Sequence, residues 1–455
     1  MHLHQIGRLS EYLSYHERMK NKELEESFHY WRKRVFATLW ITYGAFYLCR
    51  VNLSIALPGI MKEFGYSKTD VGLIGSILFV TYAIGQFING QLGDKFGARK
   101  LITLGIVVSA ILNLIFGFSK TFLVMAVVWG LNGYFQSMGH PPSVKTLANW
   151  FPTRSRGKIS GLYASSFQVG NVVTWLFTGY LCSRLGWRSA FWIPSILFLI
   201  CGIQFYKNCR NSPEDVGLPP IEEYERRKQL SIPNEAEQIG KETFNRDEHL
   251  GFRFTLKQTI GNPKLWRVGL SYLFLGLVTF GFIYWVPTYI LEVQRIGIAS
   301  AAAKAVLFPL AGAAGALTAG WVTDKFFASR RTPMIVVMAF LSGIFILIYP
   351  RIPAGNNLLN LLCLSIIGFM AFGAHTTMVT AIPMDYGTRK AASSATGFID
   401  AFGYIGATIS GVGAGWLVDN YGWNSVFYFW AGSAFLACIP ILRLWSYRPP
   451  KTKYI

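Results

Sequence analysis

The stretch Gly90-Gln-Leu-Gly-Asp94-Lys95-Phe-Gly97-Ala-Arg99-Lys100 sets closely spaced glycines, one acid and three bases between two apolar blocks. A reduced copy, Gly320-Trp-Val-Thr-Asp324-Lys325 followed by Arg330 and Arg331, occupies the corresponding place in the second half of the chain. A second pair repeats with it: Gly179-Tyr-Leu-Cys-Ser-Arg-Leu-Gly186-Trp187-Arg-Ser-Ala-Phe and Gly415-Trp-Leu-Val-Asp-Asn-Tyr-Gly422-Trp423-Asn-Ser-Val-Phe. Unrelated segments rarely share spaced glycine, acidic and basic residues, so the chain reads as a duplication. Gly90 and Gly320 leave room for close helix approach, while Asp94, Arg99, Asp324 and Arg330 supply charges that pair with one another and with helix ends. The expectation is a latch tying the two halves together in one access state; the plainer alternative is that these charges anchor loops at lipid headgroups.

Outward from these turns the sequence is apolar in blocks near the roughly 20 residues that cross a bilayer. Of the 455 residues 52% are hydrophobic and 15% charged, against roughly a quarter charged in soluble domains. The blocks predict spans near 36–60, 72–93, 101–118, 122–145, 158–182, 189–207, 266–291, 303–323, 333–350, 358–384, 392–417 and 424–444. The expected fold is an all-α polytopic membrane protein with twelve transmembrane helices in two pseudo-symmetric six-helix halves. Its parts are an N-terminal segment (1–34), a first half (35–207), a Pro-rich charged linker (208–264), a second half (265–445) and a tail (446–455). Parallel six-helix repeats with a solute site between them near mid-membrane are one plan of secondary transporters.

The net charge of +20 would suggest nucleic acid in a soluble protein. Here the bases fall on alternate loops, such as Arg32, Lys33 and Arg34, Arg154, Arg156 and Lys158, or Arg443 and Arg448. Positive charge collects on cytoplasmic loops, so both termini are expected in the cytoplasm of a cell with the chain in its inner membrane, and no nucleic-acid partner is implied. Six scattered cysteines have neither metal nor disulfide spacing and read as packing residues. The polar first thirty residues carry no removable signal peptide. There is no phosphate-cradling P-loop, no zinc spacing and no segment resembling a soluble catalytic domain. The expectation is a protein that is not an enzyme, uses no cofactor or metal, and works as a monomer in the lipid bilayer.

An ion at mid-bilayer costs about 2.5–3.5 kcal/mol even on the mildest scale, which makes the few charges inside spans informative. Arg50 lies deep in the first span, and Tyr43, Tyr47, Arg50 and Ser54 recur at helical spacing, predicting one polar stripe. An Arg fork suits a phosphate or carboxylate; the alternative is an Arg neutralised by an acid such as Asp400. In the fourth span Asn132, Gln136 and His140 recur every four residues, followed by Pro141, Pro142 and Lys145. His140 either donates to an oxyanion or carries a proton, or it satisfies carbonyls freed by the prolines; Lys145 either faces the solute or snorkels to the surface. Tyr82, Gln86 and Asn89, and Tyr163, Phe167 and Asn171, form further polar faces. The second half offers Thr279, Tyr284, Trp285, His375, Thr376, Thr380, Asp400 and Tyr404; Asp400 must pair across helices or change protonation.

On these residues the chain resembles the major facilitator superfamily, whose signature loop is similar to Gly90–Lys100. More narrowly it resembles the organophosphate:phosphate antiporters, the glycerol-3-phosphate and hexose-phosphate transporters. The matching stretches are Tyr47-Leu-Cys-Arg50-Val-Asn52, Gly139-His-Pro141-Pro142 with Lys145-Thr146, Gly217-Leu-Pro-Pro-Ile-Glu-Glu-Tyr224, Trp285-Val-Pro287-Thr288-Tyr289 and Thr396-Gly397-Phe398 with Gly403-Tyr404. The resemblance implies alternating-access exchange of an organophosphate for inorganic phosphate, gripped by an arginine from each half with a helping lysine and histidine. Arg50 matches the first arginine, whereas Thr279, Gln86 and Phe167 stand at the second arginine, the lysine and the histidine. One cation serves a monoanion or zwitterion better than a dianion, and the added acid at Asp400 favours proton coupling. The alternatives are therefore a proton-coupled symporter of a carboxylate or other small solute, and a transporter-like membrane sensor of sugar phosphate.

Overall fold

The computed structural model describes residues 2–152, 156–221, 223–225, 260–327, 330–382 and 392–446. Helix α1 (His2–Phe46) leads into a short 3-10 turn (Tyr47–Cys49) and α2 (Asn52–Phe64), which together make the first span. Then follow α3 (Lys68–Phe96), α4 (Ala98–Phe118), α5 (Phe122–Gln136), α6 (His140–Trp150), α7 (Arg156–Leu185) and α8 (Ser189–Asn208). The second half holds α9 (Pro263–Gln294), α10 (Ile298–Ala305), α11 (Leu307–Phe326), α12 (Arg331–Ile348), α13 (Asn357–Thr376), a π-helical turn (Thr377–Ala381), α14 (Ala392–Tyr421) and α15 (Trp423–Leu442). With α5 and α6 joined as the fourth span and α10 and α11 as the eighth, the twelve expected spans are all present. Ten candidate spans are long and apolar enough to cross a membrane; among the described residues the fourth span misses that measure because it is broken in two. The fifth, α7, also falls below it, carrying a polar face with Gln168, Asn171 and Thr174.

Local chemistry sets the ends. Gly65 takes a left-handed φ of 69° and its N–H returns to the Met61 carbonyl, closing α2. Ser67 and Asp70 cap α3 reciprocally, the Asp70 N–H reaching the Ser67 hydroxyl at 3.1 Å and the Ser67 N–H reaching Oδ2 of Asp70 at 2.9 Å. Pro141 and Pro142 sit in the first turn of α6, where a missing N–H costs nothing. Large apolar side chains such as Ile84, Leu123, Ile203, Leu317 and Ile439 are exposed on the outside, as expected of a surface solvated by lipid.

The buried apolar core is forked. One cluster joins both halves, with Leu57, Val71, Trp129, Trp175, Tyr284, Trp285, Val306 and Trp430. Two others stay inside one half each, around Phe28, Phe46, Trp150 and Phe198 in the first and Leu265, Tyr272, Met338 and Ile441 in the second. The shared cluster lies at the end away from the linker, which is sealed by bonds between the halves. Asp419 of α14 accepts from the Lys68 N–H at 3.1 Å and from the Thr69 N–H and hydroxyl at 2.7 Å each. Lys68 pairs with Glu292 at 3.3 Å, Tyr284 donates to the Val71 carbonyl at 2.6 Å, and Ser76 donates to the Thr408 carbonyl at 2.7 Å. Gly72 lies so close to Gly411 that a Cβ would strike its carbonyl oxygen. Toward the linker each of the other two clusters stays within its own half.

At the linker end the N-terminal segment is packed from Phe28 onward. The Phe28 ring meets Tyr224 at 4.0 Å, and Arg32 donates to the Trp150 carbonyl at 2.8 Å while pairing with Glu225 at 3.6 Å. Ile221 and Tyr224 are thus buried in the first half's core, with Leu218 packed against it. Residues 222 and 226–259 of the linker and 447–455 of the tail lie outside the described residues.

Candidate solute-binding site

The first span is not one continuous helix. Between Tyr47 and Val51 the ladder breaks, leaving the Cys49 carbonyl without a helical donor, and a freed carbonyl inside a membrane must be satisfied by neighbours. Three buried amides do so: Asn132 at 2.9 Å, Asn113 at 3.2 Å and Gln136 at 3.4 Å. They are joined to one another, since Ser109 accepts from Gln136 at 2.8 Å and donates to Asn132 at 2.6 Å, and Asn113 accepts from Asn52 at 3.1 Å.

Arg50 hangs on this network. Its Nε donates to Gln136 Oε1 at 3.1 Å and its Nη2 to the Gln136 carbonyl at 3.4 Å. The guanidinium carbon lies 4.8 Å from the Tyr47 ring centre and 4.6 Å from that of Tyr82. Two aromatic rings attract the cation. Tyr43 stacks on Tyr163 at 5.1 Å and packs on His140 at 5.5 Å. Among the described residues the buried hydroxyl of Tyr82 has no hydrogen-bond partner, a costly condition unless something else accepts from it.

Two expected stripes are corrected by breaks in the helices. The 3-10 turn rotates Ser54 away from Tyr43, Tyr47 and Arg50; it is buried, donates to the Val51 carbonyl and accepts from Trp175. Likewise the turn at 137–139 separates His140 from Asn132 and Gln136, which bind the first span while His140 opens α6 beside Tyr43. Gln86 is half-buried one turn beyond Tyr82, and Lys145 is exposed on α6.

In the second half Thr279 is fully buried and donates to its own helix at Leu275, 3.0 Å away. His375 meets the Tyr272 hydroxyl at 3.2 Å. Asp400 is half-buried on the inward face of α14, within electrostatic range of Tyr272 and Tyr404, and no ion pair joins it to Arg50 among the described residues. Rings bridge the halves: Tyr82 and Tyr404 lie 4.8 Å apart, and Tyr404 stacks on Phe280 at 5.2 Å.

The latch residues are only partly described. The side chains of Asp94 and Asp324, and the surroundings of Gly90, lie outside the described set. Arg99 donates to the Tyr206 carbonyl at 2.7 Å, within its own half, and Arg330 to the Phe327 carbonyl at 3.2 Å. Gly320 has open space where a Cβ would stand, so it makes no close helix contact among the described residues. Sequence reasoning missed the seal around Asp419 and the supporting amides Asn113 and Asn52. The signal for Asp419 was its asymmetry, an acid where the repeat has Ser183.

The family model described as the Major Facilitator Superfamily matches residues 39–411. The glycerol-3-phosphate transporter of Bacillus subtilis is 31% identical over 94% of this chain and 96% of its own. A probable hexose phosphate transport protein of Chlamydia pneumoniae is 28% identical over 94% of both chains, and the membrane sensor protein UhpC of Escherichia coli is 28% identical over 94% and 95%. Among solved structures, a bacterial homolog of the human lysosomal transporter Spinster, inward-facing and unoccupied, superposes with a TM-score of 0.69 at 16% identity, covering 91% of this chain and 95% of that one. The forked core, the twelve spans and the match along most of the chain lead to one conclusion: it belongs to the major facilitator superfamily and is a multi-pass membrane transporter, not an enzyme.

Proposed function

We propose that this transporter moves a small phosphorylated organic anion across a bacterial inner membrane by alternating access, exchanging it for inorganic phosphate. The observation that carries the reading is Arg50, clasped between Tyr47 and Tyr82 with Nε and one Nη2 bond committed to Gln136. Of the five guanidinium donors, those left over point in the plane of the group, where two oxygens of one phosphoryl group fit a fork. Tyr43, Tyr47, Gln86, His140 and Lys145 line the first half's side of the path, and Thr279, His375 and Asp400 the second's. Relatives named for transport of glycerol-3-phosphate, hexose phosphate and phosphoglycerate support the phosphorylated class. Asn132 and Gln136 act by fixing Arg50.

The seal at Asp419 belongs to the state open toward the linker, with both termini on the cytoplasmic side. Gly90, Asp94, Arg99, Gly320, Asp324 and Arg330 close that side in the opposite state. Solute drives the exchange by stabilising the two states unequally. The test is Arg50→Lys in proteoliposomes: charge is kept and fork geometry lost, so glycerol 3-phosphate uptake driven by internal phosphate falls at least about tenfold, about 1.4 kcal/mol. Near-normal uptake sinks the reading. Uptake that needs an imposed proton gradient replaces exchange with symport, and binding without flux replaces transport with sensing.

A further inference from the structure

Asp400 is an acid inside the membrane that has no hydrogen bond and no ion pair among the described residues, yet it is only half-buried on a face turned away from lipid. The exposed residues of its helix, Ile405 and Ile409, lie on the opposite side. Tyr272, whose ring lies against Gly403 and packs on His375 at 5.1 Å, is within electrostatic range of Asp400. Tyr404 stands one turn from Asp400, about 6 Å along the helix. A carboxylate beside two tyrosine rings is chemistry that receives an alkylated ammonium ion, whose diffuse charge is attracted by each ring.

Arg50 and Asp400 flank the same ring. Arg50 lies 4.6 Å over Tyr82, Tyr82 is 4.8 Å from Tyr404, and both charges act on Tyr404. One small molecule therefore spans them, its anionic end in the first half and its cationic end in the second. A simple phosphate ester would instead bring like charge to Asp400. We infer that the second half holds a cation subsite at Asp400, and that the solute is a zwitterionic phosphate ester with a methylated ammonium group. This rests on the proposed phosphate contact at Arg50 and adds the second contact. Because the two contacts belong to different halves, such a ligand ties them together.

The experiment is competition for uptake into proteoliposomes by phosphocholine and glycerophosphocholine against glycerol 3-phosphate and free choline, on the full chain, Asp400→Asn and Asp400→Glu. The expected result is a preference of at least tenfold for a choline ester over glycerol 3-phosphate. Asp400→Asn weakens the choline ester at least tenfold more than glycerol 3-phosphate, and Asp400→Glu restores most of the preference. Equal treatment of both esters by the parent protein overturns the subsite while leaving the phosphate reading intact. Binding of free choline without any phosphate ester retains the subsite and removes the phosphate reading. If the choline ester's advantage survives in Asp400→Asn while a proton-gradient response is lost, the carboxylate serves a proton and the inference falls. Melting temperatures of the variants separate a lost contact from a lost fold, Asp400→Glu keeping the question open where Asp400→Asn does not fold.

Discussion

Removing the Asp419 carboxylate should open the sealed end. Three bonds converge on it from the first turn of α3, at 3.1, 2.7 and 2.7 Å, and all three cross between the halves. Loss of an N-terminal cap costs about 0.5–2 kcal/mol, and a carboxylate near a helix N-terminus adds about 0.3–1 kcal/mol at low salt. The contacts are solvent-exposed, so screening holds the sum near 1–2 kcal/mol, a factor of about 5–30 in an equilibrium. That loss falls wholly on the state sealed at this end. Asp419→Ala is therefore expected to shift the population toward opening there by about that factor. Ser76, 2% exposed and bonded across the seal, supplies the reporter: a Ser76→Cys thiol reacts with an impermeant maleimide only when the seal parts. Labelling should accelerate about 5–30-fold in Asp419→Ala, with less acceleration at high salt. A rate within twofold of the parent, in a protein with unchanged melting, refutes the reasoning, because the carboxylate would then favour neither state.

Asn132→Leu leaves the Cys49 carbonyl and the Ser109 hydroxyl each short of a partner and is expected to destabilise the fold by about 1–3 kcal/mol. Thermal unfolding in detergent checks this, and an unchanged melting temperature contradicts the supporting role given to the buried amides. Tyr82→Phe keeps the ring over Arg50 and deletes a hydroxyl that has no partner among the described residues. Stability should hold or rise, while solute affinity falls about 10–100-fold if that hydroxyl donates to an anion; unchanged affinity excludes it from the site.

The duplication made the fold legible, because turns such as Gly90–Lys100 and Gly415–Phe427 carry their spacing whatever packs around them. Arg50 was legible for a similar reason, an uncompensated cation in an apolar block being informative by itself. Helix breaks were not. Periodicity assigns Tyr43, Tyr47, Arg50 and Ser54 to one face, and nothing local marks the turn at Tyr47–Cys49, whose stability comes from amides on α4 and α5. The seal was hidden for the same cause: Asp419 finds Thr69 only after the halves have packed, and no pattern within either segment announces the other. Gly217–Tyr224 read as loop because it is charged and Pro-rich, yet Ile221 and Tyr224 are buried against Phe28.

The interruptions at Tyr47–Val51 and at 137–139 sit side by side, bolted together by Arg50 and Gln136. A straight helix gripped at its middle resists torque along its whole length, whereas a jointed one yields at the joint. On the proposed reading, solute pulling on Arg50 loads two elbows at once. The outer segments α2 and α5 can then swing against α1 and α6 with little bending of any rod, and the π-turn at Thr377–Ala381 gives the tenth span, the fourth span's counterpart in the repeat, a softer elbow at the matching level. Arg50 is in that sense the axle.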